Sequence, residues 1–124
     1  MTKMSLNVKQ KKKLNIEFCG LQFNTPLVLL SGCVGFGEEY TRINGFSNTD
    51  VGAICLKGTT LEPRLGNSPH RIAETYLGML NAIGLQNPGS KVVVDEYLPH
   101  LDFEETCFIA NLSGSTIEEY EEIT

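Results

Sequence analysis

The sequence predicts an α/β fold: a parallel sheet built from three strand–loop–helix units, preceded by a short hairpin. Two observations carry this. Three apolar runs, Leu27–Leu30, 51–56 and 107–110, have the make-up of strands buried on both faces, as parallel strands are. Each is followed by a stretch with helix signals, and strands alternating with helices imply right-handed βαβ crossovers. The 124 residues are enough for one ordinary domain with one core.

Taken in order, residues 1–13 hold Lys3, Lys9, Lys11, Lys12 and Lys13 and are expected to form a solvated, loosely attached leader. Leu14–Cys19 and Leu21–Phe23 alternate apolar with polar residues around Gly20, which predicts a short hairpin. Leu27–Leu30 is the first buried strand and ends abruptly at Ser31-Gly32-Cys33. Residues 38–43 read as a short helix with acids in its first turn, where the helix dipole favours them. Residues 51–56 form the second buried strand, ending at Lys57. Thr60 to Leu80 reads as a long irregular segment broken by Pro63, Gly66, Pro69 and Gly78, and loops of that length are usually functional or disordered. Lys91 to Leu98 suits a helix that stops at Pro99. Residues 107–110 are the third buried strand, ending at Asn111. An acidic helix then opens, with Ser115 as N-cap and Glu118 three residues on as a capping box.

Composition narrows the function. Net charge is −5, yet half of the ten basic residues sit in the leader. Residues 14–124 hold five basic against fifteen acidic groups, a balance of −10 that repels nucleic acid and anionic membrane. No apolar run approaches the roughly 18 residues of a membrane span. The leader has neither the apolar core of a secretion signal nor the Arg of an organelle presequence, so a cytoplasmic protein is expected. Cys19, Cys33, Cys55 and Cys107 are widely spaced, which argues against a metal site, and disulfides do not suit that compartment. Most of the four are expected to be small buried hydrophobes.

Ser31, Lys57 and Asn111 each stand where a buried strand ends, and the C-terminal strand ends form the ligand face of α/β sheets and barrels. Three polar side chains are therefore expected to converge on one site. Singly, Ser31 reads as a strand-end hydroxyl and Asn111 as a satisfied turn amide. Directly after 53–56, the Lys57 ammonium is expected to be partly buried and to need a partner. That partner is either Glu62 or Glu74, or an anionic ligand. Between them in sequence lies Asn81-Ala82-Ile83-Gly84-Leu85-Gln86-Asn87-Pro88-Gly89. It combines an amide side chain, a glycine that admits close approach of a flat ligand, and turn residues leading towards a helix.

Four stretches together resemble the class 1 dihydroorotate dehydrogenases, in order and in spacing, over residues 14–124. They are Ser31-Gly32-Cys33-Val34-Gly35-Phe36-Gly37-Glu38-Glu39-Tyr40, Lys57-Gly58-Thr59-Thr60-Leu61-Glu62-Pro63-Arg64, Met79 through Gly89, and Ile109-Ala110-Asn111. The wording of residues 81–89 is similar to the B type, the NAD-linked form. The resemblance implies the N-terminal part of a (β/α)8 TIM barrel with FMN at its C-terminal mouth. It implies oxidation of (S)-dihydroorotate to orotate in pyrimidine (UMP) biosynthesis. A base removes a proton from C5, and a hydride passes from C6 to the flavin.

By position, Ser31, Lys57, Gly58 and Asn111 would bind FMN, with Lys57 also touching substrate and stabilising the anionic reduced flavin. Asn81, Ala82, Ile83, Gly84 and Leu85 would bind the pyrimidine, partly through backbone N–H groups. The resemblance also implies a homodimer of catalytic subunits and a partner subunit holding FAD and a 2Fe–2S cluster, which passes electrons to NAD. Leu30 and Gly58 stand where relatives often carry Ala. A complete barrel takes about 250 residues. The family's catalytic base, a Cys on a later loop, and its phosphate site are expected beyond residue 124; Cys33 does not match that base. The 124-residue chain alone is accordingly expected to be inactive. Two other readings stay open: a dihydropyrimidine dehydrogenase-type barrel acting on uracil or thymine, and a non-catalytic remnant or partner-binding fragment.

Overall fold

The chain buries Ala53 and Ile54 in the middle of a small parallel sheet and leaves much of its remaining apolar surface open. The computed structural model describes residues 14–124. The basic stretch 1–13, and its expected role as a leader, lie outside the described residues. Two compact units are formed: the first runs to Leu56 and takes in Leu101–Ala110, and the second comprises Lys57–His100 and Asn111–Thr124.

The first unit opens with the expected hairpin. β1 (Ile16–Phe18) pairs antiparallel with β2 (Leu21–Phe23), Ile16 opposite Phe23 and Phe18 opposite Leu21. Cys19 and Gly20 make the turn, both at positive φ. A parallel sheet follows in the order β3 (Val28–Leu29), β4 (Ala53–Cys55), β7 (Cys107–Ile109). Val28 stands opposite Ala53 and Ala53 opposite Cys107, so the three C-terminal ends lie along one edge. Val34, Phe36, Val51, Leu56 and Leu101 complete this unit's core with Phe23. The buried Thr106 hydroxyl donates to the Val51 carbonyl at 3.0 Å.

Of the three strands expected to be buried on both faces, only β4 is. Leu27 and Leu30 are 60% and 65% exposed, and Ile109 is also exposed. Among the described residues β3 and β7 each pair on one side only, so they lack the neighbours that double burial requires. The sheet is open, and no closed barrel forms among the described residues. The cysteines correct a second expectation: Cys19 and Cys33 are exposed, Cys55 and Cys107 half-buried, and all four are free thiols. Cys19 occupies a turn and Cys33 the loop after β3, where no core reaches them. The helix expected at 38–43 is a single 3₁₀ turn, Glu39–Arg42. Ser47 caps a further short turn, Asn48–Asp50, with a reciprocal bond from its own amide to Asp50.

In the second unit the stretch expected to be irregular contains a hairpin. β5 (Ile72–Thr75) pairs antiparallel with β6 (Gly78–Asn81), Ile72 opposite Asn81 and Thr75 opposite Gly78. Its two-residue turn is Tyr76-Leu77, and Tyr76 is fully exposed. Helical structure then begins at Ser90 rather than Lys91 and passes through a π-type turn, Val93–Tyr97. It ends in a 3₁₀ turn, Leu98–His100, so Pro99 is the second residue of that turn and not a stop. The last helix is Ile117–Ile123, and its cap sits one residue later than expected. Thr116 is the N-cap and accepts from the Glu119 amide at 3.3 Å, while the Glu119 carboxylate accepts from the Ser115 amide at 2.5 Å.

Candidate functional site

Past the end of β4 the chain keeps its extended course. The Thr59 amide donates to the Asn111 carbonyl and the Ser113 amide to the Thr59 carbonyl, both at 2.9 Å. Thr59 and Leu112 thus form an isolated parallel bridge, which draws Gly58 up to Asn111. Gly58 is buried, and a Cβ on it would stand 2.9 Å from Leu85 Cδ1 and 3.4 Å from Asn111 Nδ2. Three of the expected site residues, Gly58, Leu85 and Asn111, therefore meet, and a side chain at position 58 would press on the end of the Leu85 side chain.

Lys57 is half-buried, as expected. Neither Glu62 nor Glu74 pairs with it: the ion pairs among the described residues are Arg42–Glu38 at 3.7 Å and Lys91–Asp95 at 2.6 Å.

The loop carrying Asn81 to Leu85 is fixed from outside itself. Asn81 is the last residue of β6, so it is a strand residue rather than a loop residue. The Ala82 amide donates to the Arg71 carbonyl at 2.7 Å, and the Ala82 carbonyl accepts from Asn67 Nδ2 at 2.8 Å. The Ile83 carbonyl accepts from the Asn67 amide at 3.0 Å. Gly84 (φ +80°) and Leu85 (φ +53°) then pass through the left-handed region. Among the described residues the amides of Ile83, Gly84 and Leu85 donate to no protein acceptor. Of the backbone donors expected for a ligand, those three are uncommitted and that of Ala82 is not. Asn81 and Ala82 line a shallow cavity of about 140 Å³ with His70, Arg71 and Leu80.

Sequence reasoning saw Asn87 only as part of a turn. It is a buried amide that bonds to Thr60, Gly89 and Leu85, and its backbone pairs in both directions with Arg64. No local sequence pattern signals these bonds, because Thr60 lies 27 residues away.

Ser31 belongs to the first unit, half-buried in the turn after β3, and Cys33 nearby is exposed. The second unit by itself assembles Gly58, Leu85 and Asn111, with Lys57 next to Gly58. A larger cavity of about 430 Å³ in the first unit is lined by Gly52, Thr106 and Cys107, at the N-terminal ends of β4 and β7. It holds none of the expected site residues, and the N-terminal end of a parallel sheet is the end that serves stability. Among the described residues no three His, Cys, Asp or Glu side chains gather as metal ligands do, and no helix is long and apolar enough to cross a membrane.

The family model described as dihydroorotate dehydrogenase matches residues 13–124. The chain is 51% identical over 111 residues to the protein named dihydroorotate dehydrogenase B (NAD(+)), catalytic subunit, of Bacillus caldolyticus, covering 90% of this chain and 35% of that protein. The protein of the same name from Bacillus pumilus is 49% identical over 110 residues, with 89% and 35% covered. The chain thus spans about a third of the length of the curated relatives it matches. Among solved structures, ligand-free DHODH from Eimeria tenella superposes with a TM-score of 0.61 at 19% identity, over 97% of this chain and 36% of that one. The ferulenol complex of the same protein gives 0.64 at 19% identity, over 96% and 35%. The structural likeness speaks for the fold alone. The match of the family model from residue 13 to residue 124, with about half the aligned residues identical in the bacterial relatives, places the chain by sequence: it belongs to the dihydroorotate dehydrogenase family.

Proposed function

We propose that residues 14–124 supply the first three βα units of a (β/α)8 barrel that oxidises (S)-dihydroorotate to orotate in pyrimidine biosynthesis. The observation that carries this reading is the donor set of the second unit. Lys57, half-buried and without an acidic partner among the described residues, adjoins Gly58. Gly58 lies against Leu85, whose loop holds three uncommitted amides. Positive charge and N–H donors on a close-fitting backbone suit a flat anionic ligand with ring carbonyls, which describes orotate.

FMN fits the same residues. Lys57, Gly58 and Asn111, with Ser31, would hold it, and Gly58 offers bare backbone to a planar ring. When bound, the flavin supplies the hydride acceptor. Lys57 contributes a fixed positive charge that stabilises negative charge developing beside it. Asn81, Ile83, Gly84 and Leu85 bind and orient the pyrimidine. Ala82 contributes van der Waals contact, because its amide and carbonyl are committed to Arg71 and Asn67. The base that takes the C5 proton, a Cys in the family, lies outside these residues. The relatives' names, with "NAD(+)" and "catalytic subunit", support an NAD-linked assembly with a partner subunit, and the proposal extends this to a homodimer of catalytic subunits acting in the cytoplasm. Electrons would then pass to NAD through a partner subunit carrying FAD and a 2Fe–2S cluster.

The test uses the complete flavoprotein carrying this sequence. Dihydroorotate added without oxygen is expected to bleach the flavin absorbance, and orotate to bind more tightly than uracil, which lacks the carboxylate. Turnover with uracil or thymine instead would replace this reading with dihydropyrimidine dehydrogenase chemistry. Inertness towards all of them would leave a non-catalytic remnant.

A further inference from the structure

Asn87 is 6% exposed and Thr60, 27 residues earlier, 3%. Every polar atom of the Asn87 side chain is engaged. Its Oδ1 accepts from the Thr60 amide at 3.1 Å and from the Gly89 amide at 3.0 Å. Its Nδ2 donates to the Leu85 carbonyl at 2.8 Å and to Thr60 Oγ1 at 3.0 Å. Thr60 Oγ1 also lies 3.3 Å from Asn87 Oδ1, but its single proton has a better acceptor in the Glu62 carbonyl at 2.6 Å. Towards Asn87 the hydroxyl is therefore an acceptor. Two acceptor bonds and two donor bonds use the amide's main capacity, and no other side chain of this size supplies both.

The anchor is rigid for a second reason. The Arg64 amide donates to the Asn87 carbonyl at 2.9 Å and the Asn87 amide to the Arg64 carbonyl at 3.0 Å. What the side chain holds at its other end is Leu85, a non-glycine residue at φ +53°. That conformation costs on the order of 1–3 kcal/mol and persists only where the surroundings impose it. Asn67 ties the loop at Ala82 and Ile83, and Asn87 ties it at Leu85. The amides of residues 83–85 lie between the two ties.

We infer that Asn87, anchored on Thr60, is a positioning residue for pyrimidine binding: by holding the Leu85 carbonyl it fixes the amides of Ile83, Gly84 and Leu85 in the arrangement the ligand needs. This rests on the function proposed above. It predicts more than fold stabilisation, because the two ends of the Asn87 amide have different consequences. Asn87→Asp keeps an acceptor for Thr60 and Gly89 and removes both donors. In the complete flavoprotein it is expected to weaken orotate binding about thirtyfold, the size of two lost neutral hydrogen bonds. Exchange of the Asn67 and Ala82 amides, which bond to the Ile83 and Arg71 carbonyls and hold the loop, should quicken, with FMN content unchanged. Thr60→Val should act in the same direction, and Thr60→Ser, which keeps the hydroxyl, should behave as wild type.

Wild-type orotate affinity in Asn87→Asp would overturn the inference, whether or not exchange changes. If Asn87→Asp does not fold, Thr60→Val against Thr60→Ser decides: equal orotate affinity in the two would overturn it. Exchange at Asn67 and Ala82 needs no ligand. It therefore separates failure of the clamp from failure of the proposed function, which a wild-type protein that binds no orotate would bring down.

Discussion

Replacing Gly84 by alanine probes the tightest contact of the loop. A Cβ there would come within 2.7 Å of the Asn67 nitrogen, 2.8 Å of its Cγ and 2.9 Å of its Oδ1. Real Cβ atoms do not hold such distances, so Asn67 or the loop must move. The left-handed backbone at φ +80° adds about 1 kcal/mol for a residue with a Cβ. If Asn67 retreats it gives up its bonds to the Ile83 and Ala82 carbonyls, each worth about 1 kcal/mol net. The sum, about 3 kcal/mol, falls on an exposed loop rather than on the core. It is expected to weaken orotate binding about a hundredfold and to lower Tm only slightly. The assay is titration of orotate against the flavin spectrum of the complete protein, with a thermal melt alongside. Affinity within twofold of wild type would refute the close apposition of Asn67 and Gly84 from which the magnitude was worked.

Three further outcomes are expected. Lys57→Met should lower the flavin midpoint potential as well as weaken orotate, and an unchanged potential would remove Lys57 from the cofactor's surroundings. Thr116→Ala removes the cap of Ile117–Ile123 at a cost of about 1 kcal/mol. Faster amide exchange across that helix, absent in Thr116→Ser, is the signature, and equal rates in both variants would contradict it. Glu118 is held below its ordinary pKa of 4.5, first by its own backbone amide and then by the Thr116 hydroxyl. A lowered folded pKa means that the carboxylate's contribution is complete above pH 4.5 and is lost as pH falls through the lower folded value. A Glu118 chemical-shift titration with its midpoint at or above 4.5 would contradict this, and Glu118→Gln should flatten the pH dependence of the helix.

The central strand was legible because Ala53 and Ile54 sit in an apolar run that every neighbour reinforces. The exposure of Leu27 and Leu30 was not, since burial depends on which strands stand alongside, and a run's composition does not say. The hairpin from Ile72 to Asn81 escaped because its turn, Tyr76-Leu77, has none of the Gly, Asn or Asp that mark tight turns. The last helix cap was misplaced by one residue because Ser115 with Glu118 and Thr116 with Glu119 satisfy the same pattern. For the site, the position of Lys57 after a buried strand predicted its partial burial. The roles of Asn81 to Leu85 came from resemblance to a family, not from physics. The tie from Asn87 to Thr60 spans 27 residues, and no local pattern encodes it.

Asn81 closes the β5–β6 hairpin, paired with Ile72 at the opposite end from the turn. Side chains alternate along a strand, so the face Asn81 presents is settled by counting residues along the arm. Loss of one residue from 78–80 would turn Asn81 to the other face while leaving its composition-level surroundings unchanged. Extra residues between Tyr76 and Leu77 would leave the count intact. The hairpin is thus a ruler with a free end: its tip can vary in length and sequence, and its arms cannot.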